Sequence, residues 1–365
     1  MTTLRLPRSA PMMFPPSGRS SHGLFFGLPW LLVLVLGVAG AAHADEPPSA
    51  DLIAAAAAKG REWLVAAQAD DGSWGSASFR GSVAVTSQAM MALIAGGSTP
   101  ASGEHAAAVA RGVEYCLACA GADGLIAGRE QAAHGPMYGH AYATLVLAEV
   151  YGESDHDDQI AAVLERAHEL IVATQNDEGG WRYQPRRADA DVSVTAAMVS
   201  ALRGLHNSRF VVSGECVDRA VALLGRLQNE DGGFRYLVAS GPSASPRTAA
   251  ALFALLAADR TGPSVDRGFA WLTDHPITIE RGDGYAMYGL AQAAAAHWLR
   301  GDASWEAWHA SVVGPLLDAQ RHDGAWPDPS CPEYGTSAAL AVLQMADGLS
   351  PLFQRTAHDD EDRAE

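Results

Sequence analysis

Positive charge is scarce in this 365-residue sequence: 42 aspartates and glutamates outnumber 25 lysines and arginines, and the formal net charge is −17. The first 44 residues contain Arg5, Arg8 and Arg19 but no acidic residue, so the remainder carries −20 (−17 minus 3). Such a surface repels nucleic acids and anionic membranes. The composition therefore argues against both as partners, and it leaves neutral or apolar ligands open.

Cysteine is also sparse, with only Cys116, Cys119, Cys216 and Cys331. Cys116 and Cys119 form a CxxC, but it lies in a helical pattern and lacks partners at zinc-finger spacing. We interpret the cysteines as small core residues, with room for one disulfide in an oxidising compartment. The sequence predicts no metal site and no cofactor.

A long hydrophobic run occurs only near the N-terminus, where LLVLVLGVAGA spans 31–41 and is followed by the small-x-small triplet 42–44. This order is typical of a secretory signal peptide. A retained membrane anchor is the alternative, although Gly27 and Pro29 interrupt the stretch. We predict a signal peptide over 1–44, a linker over 45–50, and export of the folded part to the periplasm or the medium.

A seven-residue pattern recurs along the chain, as QNDEGGW from Gln175 and as QNEDGGF from Gln228. Further copies start at Gln68 and Gln320, and degenerate copies lie at Ala120 and Pro276. An acidic residue and a glycine follow each glutamine by three and four positions, which is typical of a turn. The aromatic residue six positions after each glutamine is Trp74, Trp181, Phe234 or Trp326.

The segments on both sides of each copy are periodic as well. Before it stands an amphipathic stretch such as KGREWL from Lys59 or RGVEYC from Arg111, and after it an alanine-rich apolar run such as VTAAMVSAL. Each unit of about fifty residues thus predicts an outer helix, a turn and a buried inner helix. We expect an all-α fold, a single α/α toroid (α6/α6 barrel) of six helical hairpins over 51–349, followed by an acidic disordered tail over 350–365.

The repeated QxxDGxW pattern resembles the QW motif of the terpenoid cyclase and protein prenyltransferase superfamily, in its squalene/hopene cyclase-like branch with the prenyltransferase and squalene oxidase repeat. The resemblance covers nearly all of the chain after the signal segment. It implies that the repeated glutamines and aromatic residues staple neighbouring helices together and have no catalytic role.

In hopene-type cyclases an acid in a DxDDTA motif protonates an alkene. The repeat phase aligns Thr195-Ala196 with the end of that motif, so its first acid corresponds to Asp191 and its proton donor to Ser193. A serine hydroxyl cannot protonate an alkene, and Asp191 and Ser193 are interpreted as helix caps. A divergent cyclase that uses Asp189, Asp191 or Glu333 as its acid stays open.

Tyrosines recur at the predicted starts of the inner helices, as Tyr-Gly pairs at 138–139, 288–289 and 334–335. In a closed toroid these positions converge on one mouth of the central cavity. A concave surface lined by aromatic side chains with few polar groups is the usual form of a small-ligand site. The predicted ligand-binding residues are Tyr138, His140, Tyr142, Ser193, Arg247, Tyr285, Tyr288 and Tyr334. The alternatives are that Tyr-Gly packs helix ends and that His140 is a hydrogen-bonded core residue.

The leading functional hypothesis is an exported toroid that binds an apolar, isoprenoid-like small molecule or a peptide centrally, without classical protonation-type cyclisation. The enzyme alternatives are the divergent terpenoid cyclase and an α/α-barrel glycoside hydrolase or lyase with two carboxylates across the mouth. A third alternative is a non-catalytic interaction scaffold. The fold cannot choose among them, because function depends on the site.

Overall fold

The computed structural model describes residues 48–128, 135–279 and 285–347. The predicted signal peptide and acidic tail lie outside these ranges. Within them the chain forms twelve α-helices, two short 3₁₀ turns and two isolated β-bridges, with no strand. The helices are α1 Ala50–Ala67, α2 Val83–Ala95, α3 Ala106–Ala118, α4 Met137–Val150, α5 Asp157–Thr174, α6 Val192–Asn207, α7 Gly214–Leu227, α8 Ser245–Ala257, α9 Pro263–Asp274, α10 Ala286–Arg300, α11 Asp302–Asp318 and α12 Pro332–Leu343. The predicted all-α architecture is confirmed.

The helices alternate between an outer and an inner layer. Outer helix α5 buries one stripe at 160, 163, 164, 167 and 171, the spacing of an amphipathic helix. In inner helix α4 every residue is buried except Tyr138 and Glu149. Inner helices pack against each other around the ring, and α12 packs against α2. Six outer and inner pairs therefore form the predicted α/α toroid.

The repeated glutamine ends three of the outer helices and ties neighbouring hairpins together. Helix α5 ends at Thr174, and the Nε2 of Gln175 donates to the carbonyls of Gly179 and Cys216, each at 2.8 Å. The first bond closes the turn and the second reaches the next outer helix. The same pair of bonds is made by Gln68, Gln228 and Gln320.

The repeated aromatic residue joins the turn to both helices of its own hairpin. The Nε1 of Trp181 donates to the carbonyl of Ile171 in the outer helix at 2.8 Å, and its backbone N–H donates to Oγ1 of Thr195 in the inner helix at 3.3 Å. The ring is 1% exposed. Trp74 and Trp326 make both kinds of bond, and Phe234 makes the backbone bond.

The turn glycine packs directly on the backbone of the next outer helix. Gly179 has a φ of +99°, and a Cβ there would lie 2.3 Å from the carbonyl oxygen of Arg219. The equivalent contacts pair Gly72 with Arg111, Gly124 with Arg166, Gly232 with Arg267 and Gly324 with Lys59. The last pair joins the sixth turn to the first outer helix, so the ring closes.

Cys116, Cys216 and Cys331 are buried. Their place in the core agrees with the interpretation of small packed residues. In the described ranges, no helix combines the length and the apolar composition that crossing a bilayer requires.

Candidate ligand cavity

A cavity of about 600 Å³ opens where the inner helices begin. Residues that precede five of these helices line it, among them Ser82, Gly135, Ala244, Tyr285 and Ser330. The N-terminal ends of the inner helices therefore converge on one mouth. Seven tyrosines contribute to the walls: Tyr138, Tyr142, Tyr183, Tyr236, Tyr285, Tyr288 and Tyr334. The cavity is thus predominantly aromatic.

The structure brings most of the predicted ligand-binding residues together on this cavity. Those that line it are Tyr138, Tyr142, Ser193, Arg247, Tyr285, Tyr288 and Tyr334. His140 does not line it: the ring is buried, and its Nδ1 accepts a hydrogen bond from the backbone N–H of Ile126 at 3.2 Å. Burial lowers the pKa of His140 to about 4, so this residue is a neutral core histidine.

The Tyr-Gly pairs perform two tasks at once. Tyr138, Tyr288 and Tyr334 face the cavity, whereas their glycines pack against neighbouring segments. A Cβ on Gly139 would lie 3.2 Å from Cβ of Val83, and one on Gly289 would lie 2.9 Å from Cδ1 of Ile277. The glycine permits the close approach of the next element, and the tyrosine then points inward.

Tyr183 and Tyr236 also line the cavity, although the pattern of tyrosines at helix starts does not include them. Each stands two residues after a repeat aromatic, Trp181 or Phe234, and their hydroxyls form a hydrogen bond with each other. The repeated aromatic-x-tyrosine spacing is the signal that would have found them. They lie on the turns, so a search restricted to helix starts passes over them.

Asp191 caps the N-terminus of α6 beneath this tyrosine pair. Its Oδ1 accepts hydrogen bonds from the backbone N–H groups of Ser193 and Val194, both at 2.9 Å. Its Oδ2 accepts from the hydroxyl of Tyr236 at 3.3 Å and lies 3.7 Å from Nε of Arg182. The side chain is fully buried, and this burial raises its pKa to about 6.

The other two predicted acids lie elsewhere. Asp189 is exposed, and its hydrogen bond with Arg182 lowers the pKa of its carboxyl. Glu333 is buried and accepts a hydrogen bond from the hydroxyl of Ser76 at 2.9 Å. None of the three acids lines the cavity, and no aspartate or glutamate stands among its described lining residues. The glycosidase alternative therefore lacks its pair of opposed carboxylates in this part of the chain.

Part of the chain is similar in sequence to known enzymes. Residues 139–285 match the model of the squalene-hopene cyclase C-terminal domain. Over 93 residues the chain is 32% identical to drimenyl diphosphate synthase from Streptomyces showdoensis, a match that covers 26% of this chain and only 17% of that enzyme's length.

Solved structures share the fold over most of the chain. The type II terpene cyclase MstE from Scytonema superposes with a TM-score of 0.58 at 16% identity, covering 83% of this chain and 100% of that one. The chain therefore shares the α/α toroid fold of the type II terpene cyclases. An alpha-amylase from Clostridium perfringens also superposes, with a TM-score of 0.55 at 8% identity over 80% of this chain and 97% of that one. The same fold thus occurs in a carbohydrate-active enzyme.

Ser193 is the residue that the repeat pattern aligns with the proton donor of the hopene-type motif. Its side chain lines the cavity and is hydrogen-bonded to Tyr288. Asp191, two residues earlier, does not line the cavity but is hydrogen-bonded to two residues that do, the hydroxyl of Tyr236 and the backbone N–H of Ser193. A serine hydroxyl therefore lies on the cavity wall at the residue that the repeat pattern aligns with the acid of the hopene-type motif.

Proposed function

We propose that this chain binds an apolar, isoprenoid-like small molecule in the tyrosine-lined cavity, without protonation-type cyclisation. The observation that carries the proposal is a cavity of about 600 Å³ with aromatic walls and Ser193 at the donor position. Its volume falls within the range of about 300–1,000 Å³ that is usual for small-molecule sites.

The similar proteins support an isoprenoid ligand. The MstE cyclase has been solved in complex with geranylgeranyl dihydroxybenzoate, at 16% identity to this chain, with a TM-score of 0.58 and coverage of 82% of this chain and 98% of that one. The 93-residue match to drimenyl diphosphate synthase is the second support. Because both matches are distant, they support only the class of ligand. The reaction must be argued from the residues of the site.

The position of the nearest acid argues against protonation of an alkene. A general acid must lie within hydrogen-bond reach of the atom it protonates. Asp191 is buried and does not line the cavity, two backbone N–H groups donate to its Oδ1, and the hydroxyl of Tyr236 donates to its Oδ2. We therefore expect no cyclic product from squalene or similar polyprenes.

The proposal is tested by binding experiments. Native mass spectrometry of the purified protein, with extraction of bound lipid, should find a retained apolar small molecule and no peptide. Added geranylgeraniol should bind, and its affinity should fall in Tyr138→Ala and Tyr334→Ala, which remove aromatic surface. Tyr151→Ala is the control, because Tyr151 is exposed and does not line the cavity. Absence of binding to the wild type would refute the proposal.

A divergent cyclase is the second candidate, favoured by one observation. The pKa of Asp191 is raised to about 6 by burial, and its carboxyl is bonded to Tyr236, which lines the cavity. Incubation with polyprenes and detection of products by mass distinguishes the two candidates. A cyclic product that disappears in Asp191→Asn would establish the cyclase, whereas our proposal expects none and only a modest change in binding.

We also propose that the mature protein acts outside the cytoplasm after removal of 1–44. The proposal rests on the charged, apolar and small-residue order of that segment. Fractionation of expressing cells followed by N-terminal sequencing tests it. A mature chain that begins at Asp45 is expected, and a cytoplasmic full-length chain would contradict it.

A further inference from the structure

Arg247 is a charged side chain in the wall of an otherwise aromatic cavity. It stands in the first turn of α8, and its Nη2 donates to the carbonyl of Pro242 at 3.3 Å. Its guanidinium also lies over the ring of Tyr236, with 5.9 Å between Cζ and the ring centroid. Its Nε is buried without a hydrogen-bond partner, and in the described ranges no carboxylate pairs with this arginine.

The remaining polar groups of the cavity are hydroxyls. Ser82, Ser193 and Ser330 contribute three, and the tyrosines contribute the others. Burial raises the pKa values of Tyr138, Tyr288 and Tyr334, so their phenols stay protonated and can donate hydrogen bonds. A guanidinium surrounded by donors and lacking a counter-ion is complementary to a ligand group that carries negative charge and accepts hydrogen bonds.

The cavity also has a direction. Arg247 lies at the mouth as the third residue of α8, whereas Tyr142 is the sixth residue of α4, which places it about 4–5 Å deeper when both are measured from the starts of their helices. Beyond Tyr142 a second, mainly apolar cavity of about 60 Å³ continues between the inner helices. The charged end is therefore at the entrance and the apolar end is inside.

We infer that the ligand is an anionic amphiphile, with a carboxylate or phosphate head bound by Arg247 and an apolar tail that extends toward Tyr142. This inference rests on the proposed function and specifies its ligand. The two head groups share the chemistry that Arg247 recognises, which is an oxyanion able to accept two parallel N–H bonds. Neutral polyprenes should fit the same cavity but lack this contact.

Matched probes with one apolar tail test the inference. Affinities of farnesol, farnesoic acid and farnesyl phosphate are measured by calorimetry at fixed ionic strength, with wild type, Arg247→Gln and Arg247→Lys. We expect the anionic probes to bind the wild type about 10- to 100-fold more tightly than farnesol. A hydrogen bond to a charged group contributes a free energy that corresponds to this ratio of affinities. In Arg247→Gln this preference should vanish while farnesol affinity is retained, and Arg247→Lys should keep part of it.

Arg260→Gln is the control, because Arg260 is exposed, pairs with Asp218 and does not line the cavity. The preference should survive in this variant. Equal affinities of the wild type for farnesol and both anionic probes, or a preference that persists in Arg247→Gln, would overturn the inference while the proposed function stands. Failure of all three probes to bind the wild type would instead reject the proposed function. The ratio between carboxylate and phosphate affinities distinguishes the two head groups.

A second inference concerns Tyr142, which lines both cavities. Its ring stacks on Tyr138, with 6.3 Å between the ring centroids, and it is 9% exposed. The structure assigns Tyr142 as the partition that limits how deep an apolar tail can reach. Removing its ring would join the larger cavity to the smaller one beyond it.

Chain-length preference tests this assignment. Farnesol, geranylgeraniol and geranylfarnesol differ by one five-carbon unit each, and their affinities are compared in wild type, Tyr142→Ala and Tyr142→Phe. The affinity ratio of geranylgeraniol to farnesol should rise at least about tenfold in Tyr142→Ala, because additional methylene groups become buried. Tyr142→Phe retains the ring and should keep the wild-type ratio. An unchanged ratio in a Tyr142→Ala protein that unfolds cooperatively would overturn the assignment, and Tyr142→Leu serves if the alanine variant does not fold.

Discussion

At the scale of single residues, Trp181 illustrates how the repeat stabilises the ring. Its indole is 1% exposed and donates to the carbonyl of Ile171 at 2.8 Å. We expect Trp181→Ala to lower the free energy of unfolding by about 3–5 kcal/mol, since it leaves a large cavity. Trp181→Phe should cost less, because Phe234 occupies the equivalent position in the next repeat and only the indole hydrogen bond is lost. Urea unfolding measures both, and equal losses would contradict the packing argument.

Asp191 provides a prediction about pH. Burial raises its pKa to about 6 in the folded chain, against about 3.9 in an unfolded one. A raised pKa means that the contribution of this group to stability is present below about pH 4 and is lost as the pH rises to about 6. The wild type should therefore lose roughly 3 kcal/mol relative to Asp191→Asn across this window. Urea unfolding of both proteins from pH 4 to 7 measures the difference, and a constant difference would show that Asp191 does not titrate there.

The sequence identified individual residues of the cavity unevenly. Tyr138, Tyr288 and Tyr334 were predictable because their phase places them at the starts of inner helices. His140 also lies at the start of an inner helix, but it follows Tyr138 by two positions. Helical residues two positions apart do not face the same side, so the His140 ring is directed into the core. Whether the lining residues bind a ligand stays a prediction.

At the scale of elements, the turn glycine and a helical glycine should respond in opposite ways to alanine. Gly179 has a φ of +99° and packs against the carbonyl of Arg219, so Gly179→Ala should destabilise the fold by more than about 1 kcal/mol. Gly225 lies inside α7, and a Cβ added there would meet no atom within 4 Å, so Gly225→Ala should stabilise the fold by about 0.5–1 kcal/mol. Thermal and urea unfolding compare the two, and a stabilised Gly179→Ala would contradict the turn geometry.

Helix ends were predictable to within two residues along the repeat. Helices α1, α5 and α7 end one residue before Gln68, Gln175 and Gln228. Helix α11 ends at Asp318, two residues before Gln320. At the degenerate copies, α3 and α9 likewise end two residues before the expected markers.

At the scale of the whole molecule, two equivalent glutamine bonds close loops of very different length. Gln175 joins residues 41 positions apart, whereas Gln320 reaches Ala56 across 264 positions. Because long loops close late in folding, Gln175→Ala should mainly slow folding, and Gln320→Ala should mainly accelerate unfolding. Stopped-flow folding and unfolding rates measure this partition. The same partition in both variants would indicate that the ring does not close last.

Closure of the ring was predictable from the fully apolar inner helices, because only a closed array buries them on every side. The contacts that accomplish it were not, since Gly324 and Lys59 stand far apart in sequence and neither is unusual for its repeat. The cavity follows from closure, but its charge depends on Arg247, whose lack of a carboxylate partner among the described residues is a property of three-dimensional surroundings.

The contact between Gly324 and Lys59 has a consequence for how such a chain can change its size. In open superhelical proteins a duplicated unit is stacked onto its neighbours, so the number of units varies readily among relatives. Here a seventh hairpin would separate the two residues that join the last turn to the first helix. Growth of this molecule in evolution should therefore occur by insertions in the loops at its rims, with the number of hairpins held constant.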